Sequence, residues 1–295
     1  MAIIFHVGAH KTGTSLIQKY FRDRFPDFDE GAIANIGRGD ANHLIGWGDM
    51  LINHPDRLQS RLEDELQGQP ENVILSHECA LGKPFGKRAG IYPKTKRNAK
   101  ALHSVIETVG ATEDVKIAFY VRPVSSFVES FYLQMVHQGA FDTFEKWYEQ
   151  IDIDSLSWMP SIEALDSVFG EENVLIGDFN EIRDGQENYL ATFMQRTGIR
   201  APETIDYTPR RNFSVSSLGL EIALNINPHL ETPRQRKAMR KFMQDNFSNA
   251  TGERAKPMPQ HIRDEIDSLY EDEYSIIAKR ANASKSGTPD RAANH

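Results

Sequence analysis

The sequence predicts an α/β protein in three layers, with a central parallel sheet flanked by helices and a mostly helical C-terminal part. Four short runs rich in β-branched and aromatic residues lack polar/apolar alternation, as expected for strands covered on both faces. They lie at 3–8, 72–76, 115–121 and 173–177. Helical segments separate the runs, and this alternation implies right-handed crossovers between parallel strands.

Each helix has a local signal. A helix over 14–24 directly follows the first strand, and a helix over 96–109 leads into the third. A helix over 125–138 follows that strand, with apolar residues at helical spacing. After Phe179 the pattern becomes mostly helical. The helices predicted there cover 186–197, 215–226, 233–246 and 259–281.

Domain organisation is predicted to be simple. The chain shows no internal repeat and no composition break sharp enough to mark a linker, so one domain is expected over 1–281. The tail over 282–295 has no apolar periodicity and is predicted to be disordered.

Composition excludes several classes of protein. Hydrophobic residues make up 39% of the 295 positions and charged residues 26%, as in ordinary soluble proteins. The net charge of -8 argues against general binding to nucleic acid or anionic membranes. A single cysteine, Cys79, excludes an internal disulfide and fits a reducing compartment. No window approaches the ~20 apolar residues of a membrane span, and the apolar start at 2–7 is short for a signal peptide. We therefore expect a cytoplasmic protein without a membrane span.

The loop "GAHKTGTS" (8–15) almost satisfies the phosphate-loop pattern G-x-x-x-x-G-K-[ST]. Thr14 stands where the nucleotide-binding lysine belongs, and Lys11 lies three places earlier. A strand, a glycine-containing turn and a helix N-terminus form an anion cradle, and Thr12, Thr14 and Ser15 add hydroxyl donors. The alternative is a strand-to-helix turn with Ser/Thr capping.

Two motifs carry a resemblance to a known family. "HKTGTS" resembles the 5'-phosphosulfate loop of sulfotransferases that use 3'-phosphoadenosine 5'-phosphosulfate (PAPS), with Lys11 at the position of the family's lysine. "YVRPVSSFVESFY" (120–132) resembles the family's 3'-phosphate motif, a strand-end arginine, Arg122, followed eight residues later by Ser130. Together they are similar to the bacterial, carbohydrate-sulfotransferase-like branch.

The resemblance implies a P-loop-like fold, PAPS as donor and 3'-phosphoadenosine 5'-phosphate (PAP) as product. The residues it implies for the donor site are Lys11, Thr12, Gly13, Thr14, Ser15, Arg122 and Ser130. The position of Arg122 also suits a ligand site, because the carboxyl end of a central strand borders the crevice where open α/β sheets bind ligands. Taken singly, Arg122 is also explained as a surface ion-pair residue and Ser130 as a helix-face residue.

A third segment, "RRNFSVSSLGLEIALNIN" (210–227), places basic and hydroxyl residues before an amphipathic helix. The resemblance implies that Arg211, Asn212 and Ser214 lie near the nucleotide. The alternative is an ordinary Ser-capped helix with a basic lead-in.

Sulfuryl transfer needs charge stabilisation on the leaving oxygen and a base for the acceptor O–H. Lys11 fits the first role. "LSHE" at the end of the second strand offers His77 and Glu78 for the second. Because carbohydrate-type enzymes lean to glutamate, the resemblance favours Glu78 as base over His77, with His10 a third candidate. The alternative is that the polar residues of "LSHE" only form a helix cap or a surface turn.

The segment 80–100 carries seven basic residues and no acid. This electropositive surface could attract the anionic donor or an acidic acceptor such as a charged glycan. A solvated loop explains it equally well.

The sequence therefore predicts a PAPS-dependent sulfotransferase that uses no metal cofactor and has no nucleic-acid partner. Its acceptor is a hydroxyl or amine of a small molecule or glycan, with a carbohydrate among the candidates. One alternative is a Mg-dependent P-loop kinase or NTPase, for which Asp178 and Glu78 are the strand-end acids. The other is a catalytically silent nucleotide-binding protein.

Overall fold

The structure is a computed structural model that describes residues 1–86, 89–207 and 214–286. The chain divides into two compact units. The first comprises the described parts of 1–122, 157–209 and 272–295, and the second comprises those of 123–156 and 210–271. The prediction of a single domain over 1–281 stays a prediction.

The first unit contains a five-stranded parallel sheet with strand order β2-β3-β1-β4-β5. Its strands are β1 (Ala2–His6), β2 (Ile33–Ile36), β3 (Asn72–Ser76), β4 (Val115–Val121) and β5 (Val174–Asp178). The predicted α/β class with a central parallel sheet is confirmed. The sequence missed β2, because this four-residue strand carries a polar residue, Asn35, in its centre and is half-buried there.

Twelve α-helices lie in the described residues. They are α1 (Thr14–Asp23), α2 (Arg38–Leu44), α3 (Asp49–Asn53), α4 (Pro55–Gln67), α5 (Thr95–Thr108), α6 (Val124–His137), α7 (Phe144–Tyr148), α8 (Met159–Phe169), α9 (Gln186–Thr197), α10 (Ser217–Ile226), α11 (Pro233–Asn246) and α12 (Gln260–Ala283). All seven predicted helices are present, with ends within about three residues of the predictions. None of these described helices combines the length and apolar character needed to cross a bilayer.

Alternate residues along the strands form the cores on the two sides of the sheet. Ile4 of β1 and Tyr120 of β4 pack with Ile17 of α1 and Phe193 of α9 in one hydrophobic cluster. On the opposite face, Phe119 contacts the ring of the fully buried Trp158, which precedes α8. Helices therefore cover both faces, and they hold the carboxyl ends of the strands in fixed positions.

The second unit is helical and comprises α6, α7, α10, α11 and the first part of α12. The Asn227 amide after α10 donates to the carbonyls of Val136 and Ala140, at 2.8 and 2.7 Å. Arg263 of α12 forms an ion pair of 2.8 Å with buried Glu129 of α6. These polar contacts fix the helices against each other within the unit.

The C-terminal end of the chain is more ordered than the sequence indicates. Helix α12 continues to Ala283, and a 3-10 turn follows over Ser284–Ser286. The hydroxyl of Ser284 donates to the carbonyl of Ile176 in β5, at 2.9 Å. This contact anchors residues that the absence of apolar periodicity assigned to the tail. The remainder of that predicted tail, 287–295, lies outside the described residues.

Candidate active site

The loop between β1 and α1 lies at the carboxyl end of a central strand. Its backbone takes the left-handed conformation at Lys11, with φ 65°, and at Gly13, with φ 81°. A Cβ at Gly13 would lie 2.9 Å from the ring of Tyr189, so only glycine fits there. The left-handed conformation costs a residue other than glycine roughly 1–2 kcal/mol, so contacts elsewhere must hold Lys11 in place.

Three side chains bind the carbonyl oxygens of this loop. The Thr12 hydroxyl donates to the carbonyl of Ala9. Arg122 Nη1 donates to the carbonyl of Lys11 at 2.8 Å, and the Tyr189 hydroxyl donates to the carbonyl of Thr12 at 2.7 Å. Because a trans peptide directs its N–H opposite to its C=O, the N–H groups of Thr12 and Gly13 point away from these donors. These two N–H groups are therefore directed away from the protein donors that bind the loop, as an anion cradle requires.

The N-terminus of α1 adds to the cradle. Gly13 is the N-cap residue, and no side chain caps the first N–H groups of this helix in the described residues. The Thr14 hydroxyl is buried and has no hydrogen-bond partner among those residues. A buried unpaired hydroxyl costs roughly 1–3 kcal/mol, which an oxygen of a bound phosphate or sulfate would relieve. These features fit an anion better than the alternative of a Ser/Thr-capped turn.

Arg122 follows β4 directly and is 8% exposed. Besides its bond to Lys11, its guanidinium lies over the ring of Phe179 at 4.8 Å from the centroid. The indole N–H of Trp158 donates to the Arg122 carbonyl at 2.9 Å. Arg122 is therefore part of the site's frame rather than a surface ion-pair residue.

Ser15 is half-buried in the first turn of α1. The predicted donor-site residues beyond the loop over 8–15 and Arg122 lie in the second unit or outside the described residues. Ser130 is buried on α6. Ser214 precedes α10, and its N–H donates to Asn249 Oδ1 at 2.9 Å. The N-cap of α10 is Ser216, whose hydroxyl accepts from the N–H of Gly219. Arg211 and Asn212 lie outside the described residues. The roles of all four in donor binding stay predictions.

Glu78 lies just beyond β3 with 13% of its side chain exposed. Its carboxylate accepts from Gln18 Nε2 at 3.0 Å and forms an ion pair with Arg38 Nη2 at 3.2 Å. Burial raises the pKa of Glu78, but the positive charge of Arg38 and a backbone N–H outweigh burial, so the net pKa lies below its ordinary value. At neutral pH the Glu78 carboxylate is therefore ionised, and Gln18 and Arg38 hold it in position.

His77 is oriented into the protein. Its Nε2 lies 2.8 Å from the carbonyl of Gly46, to which it donates, and the ring is 2% exposed. Burial lowers its pKa, so the imidazole is neutral. Its Nδ1 is buried and has no hydrogen-bond partner among the described residues. This placement favours Glu78 over His77 as the group that meets a substrate.

His10 is enclosed on several sides. Its Nδ1 lies 2.7 Å from the Tyr92 hydroxyl, its Nε2 lies 3.6 Å from Cys79 Sγ, and its ring stacks on Trp47. Burial lowers the pKa of His10 to about 4, so it is neutral at physiological pH. The third candidate base is therefore a packed part of the loop's support.

The basic segment 80–100 divides between a loop and the start of α5. Its described basic residues are all exposed: Lys83, Lys94, Lys96, Arg97 and Lys100. Lys87 and Arg88 lie outside the described residues. The described part fits a solvated electropositive surface, and its role in attracting a ligand stays a prediction.

Sequence reasoning missed several residues of the site. Gln18 follows Thr14 by four positions, so helical spacing alone places both on one face of α1. Arg38, Tyr92 and Tyr189 reach the site across long sequence separations, up to 177 residues for the contact of Tyr189 with Thr12. No local pattern marks these three.

Comparison with known proteins finds similarity at the level of structure. No family model and no curated protein matches the chain. A sulfotransferase from Alicyclobacillus acidocaldarius is 17% identical with a TM-score of 0.46, over 80% of this chain and 99% of that one. Mouse sulfotransferase SULT7A1 complexed with PAP is 14% identical with a TM-score of 0.39, over 81% and 82% of the two chains. At this level of similarity, a function for this chain must rest on its own residues.

Proposed function

We propose that the protein is a sulfotransferase that moves a sulfuryl group from PAPS to a hydroxyl or amine of an acceptor. The observation that carries the proposal is the 2.8 Å hydrogen bond from Arg122 Nη1 to the Lys11 carbonyl. It joins two phosphate motifs that are 111 residues apart in sequence. Arg122 sets the backbone of the same loop that presents Lys11, so a donor with two separate phosphate groups would contact both.

The residues divide the chemistry as follows. The S–O bond to the 5'-phosphate breaks, and its electron pair goes to the phosphate oxygen, where the Lys11 ammonium stabilises the developing charge. A new S–O bond forms to the acceptor oxygen, and the acceptor proton passes to the Glu78 carboxylate. The N–H groups at the start of α1 and the Thr14 hydroxyl hold the anion during transfer.

The strand-end acids favour this proposal over a metal-dependent kinase. Asp178 accepts from the N–H of Asn180 at 2.8 Å and from the hydroxyl of Tyr274 at 2.6 Å. Glu78 is paired with Arg38. Both carboxylates are engaged by protein donors, whereas a P-loop NTPase needs one of them for its metal.

The experiment is a pair of titrations followed by a transfer assay. We expect PAP to raise the Tm and to bind in calorimetry, whereas ATP with Mg²⁺ does neither. Label from [³⁵S]PAPS should then appear on an acceptor. Binding of ATP–Mg alone would favour the kinase, and PAP binding without transfer to any acceptor would favour a silent nucleotide-binding protein.

Arg122→Ala is expected to weaken PAP binding roughly 10- to 100-fold, the cost of one charge-assisted contact of about 1.5–3 kcal/mol. Calorimetry with PAP measures the effect, and circular dichroism checks that the variant is folded. Arg122→Lys is the matched control, because it keeps the positive charge but loses the planar guanidinium. Its PAP affinity should lie between those of the wild type and Arg122→Ala. Unchanged PAP affinity in folded Arg122→Ala would remove Arg122 from the donor site.

Thr14→Val is expected to change stability and ligand binding in opposite directions. The ligand-free variant should have an equal or higher Tm, because valine has the same shape and removes a buried unpaired hydroxyl. PAP affinity should fall several-fold, because that hydroxyl is a ligand donor. Thermal unfolding without ligand and calorimetry with PAP are the two measurements.

Thr12→Val serves as the control for Thr14→Val. The Thr12 hydroxyl already donates to the carbonyl of Ala9, so the same substitution two residues earlier should lower the Tm. If Thr14→Val lowers the Tm and leaves PAP affinity intact, the Thr14 hydroxyl has a structural role and does not contact the ligand.

A further inference from the structure

An exposed tryptophan lies in a loop that contacts His77, the residue before the candidate base. Trp47 is 43% exposed, in the loop between α2 and α3, and is one of nine large apolar side chains exposed in the described residues. No local sequence pattern marks this tryptophan. An exposed indole offers an aromatic face to a ligand, and the contacts of Trp47 hold that face in one position.

The loop around Trp47 is held in one conformation by specific contacts. Gly46 and Gly48 on either side take the left-handed conformation, and a Cβ at Gly48 would lie 2.0 Å from Asn98 Nδ2. The Gly46 carbonyl accepts from His77 Nε2 at 2.8 Å, and the Trp47 N–H donates to Asp49 Oδ1 at 3.0 Å. The backbone that carries the indole is therefore fixed to the residue that immediately precedes Glu78.

The indole is also fixed to the phosphate loop. Its ring is parallel to the imidazole of His10, with an interplanar angle of 4° and centroids 5.4 Å apart. His10 is the residue directly before Lys11, and burial lowers its pKa to about 4, so this stack joins two neutral rings at physiological pH. Trp47 thus connects the two groups to which the sulfuryl transfer is assigned, Lys11 through His10 and Glu78 through His77.

We propose that Trp47 is the platform on which a pyranose ring of the acceptor stacks while one of its hydroxyls meets Glu78, an inference that rests on the proposed sulfotransferase activity. The negative face of an indole attracts the polarised C–H groups on one face of a sugar ring. Asp49 accepts from the Trp47 N–H, and the charges of Glu78 and Arg38 act on the pKa of His10, the ring on which Trp47 stacks. These polar groups match the hydroxyls on the rim of such a ring. A phenolic acceptor has one hydroxyl and would contact fewer of these groups.

The test is saturation-transfer difference NMR with PAP present. The probes are methyl pyranosides of glucose, galactose, mannose and N-acetylglucosamine with their β-linked disaccharides, and, as the aromatic arm, 4-nitrophenol and 2-naphthol. We expect saturation on the C–H groups of one pyranose face in the wild type. Trp47→Ala should weaken sugar binding roughly ten-fold, the loss of one aromatic contact, and Trp47→Phe should restore much of it.

Two controls separate this proposal from the assignment of function. Phe25→Ala removes another exposed aromatic side chain of the first unit and should leave the sugar signal unchanged. PAP affinity, measured by calorimetry, should be the same in every variant, because Trp47 is assigned to the acceptor.

The outcomes discriminate as follows. A sugar signal that persists in Trp47→Ala, or a signal from 2-naphthol and none from any pyranoside, would overturn the platform and leave the sulfotransferase standing. Absence of PAP binding by the wild type would overturn the proposed function, and with it the acceptor role of Trp47.

Discussion

Lys11→Met is expected to lower kcat roughly 10²- to 10³-fold, the usual loss when one preorganised donor to a developing oxyanion is removed. PAP affinity should fall much less, because the ammonium interacts most strongly with charge that develops during transfer. Methionine is unbranched like lysine and keeps the side chain up to the position of Cε, without the ammonium. It also keeps the cost of the left-handed backbone at φ 65°, so the loss reports the charge and not a change in loop strain. Single-turnover transfer from labelled PAPS gives the rate, and calorimetry gives the PAP affinity.

The control for Lys11→Met is Lys279→Met, which removes an exposed positive charge on α12, outside the basic segment 80–100. It should leave kcat within about two-fold, as a solvent-screened charge away from the reacting atoms would. Equal losses of kcat and of PAP affinity in Lys11→Met would mean that Lys11 binds the ground state and the transition state alike. In that case the leaving oxygen would be stabilised by another group.

The parts of the fold that the sequence predicted have a strong local signal. β1, β3, β4 and β5 are continuous apolar runs because both of their faces are covered, and such runs stand out in any window. β2 lacks this signal, because it is short and interrupted by a polar residue at the sheet edge. Helix α4 could have been predicted from the sequence, because its two buried residues, Leu58 and Leu62, are four positions apart, as on one face of a helix.

The candidate site was predictable only where it is local in sequence. The loop of Lys11 and the strand-end Arg122 were found from motifs, and the structure joins them by a hydrogen bond that no motif encodes. The support of the loop by Tyr92 spans 82 residues, and nothing around Tyr92 marks it. Such contacts are a property of the folded chain, so one sequence without its relatives contains no signal for them.

The division between His77 and Glu78 shows the same limit. The sequence places both after one strand, and alternation along an extended chain directs neighbouring side chains to opposite sides, but it does not say which side is the crevice. The structure shows His77 donating to the carbonyl of Gly46 and Glu78 partly exposed beside Arg38.

Glu78→Gln is expected to lower turnover roughly 10²- to 10⁴-fold, the usual contribution of a general base, and to leave PAP affinity unchanged. Gln18 and Arg38 contact different oxygens of the Glu78 carboxylate. Glutamine keeps the shape and its one amide oxygen can keep the contact with Arg38, so the variant should fold. The loss should be smaller for acceptors with more acidic hydroxyls, since these need less help to lose a proton. His77→Gln is the matched control, because its amide can replace the donor to the Gly46 carbonyl, and it should keep most of its activity. If His77→Gln is inactive and Glu78→Gln is active, His77 is the base. If both variants are fully active, the base is another residue.

The pH profile tests the same assignment independently of the loss of turnover. A base acts only when ionised, so kcat/KM should fall as pH falls through the pKa of Glu78, and because that pKa is lowered the fall should come below the ordinary carboxyl range. Arg38→Met removes the positive charge that lowers the pKa, so its acid limb should move to higher pH. Above that limb the variant should remain active, since a carboxylate with a higher pKa is the stronger base. If the acid limb of Arg38→Met coincides with that of the wild type, the ionisation that controls the rate does not belong to Glu78. Another group would then accept the proton from the acceptor.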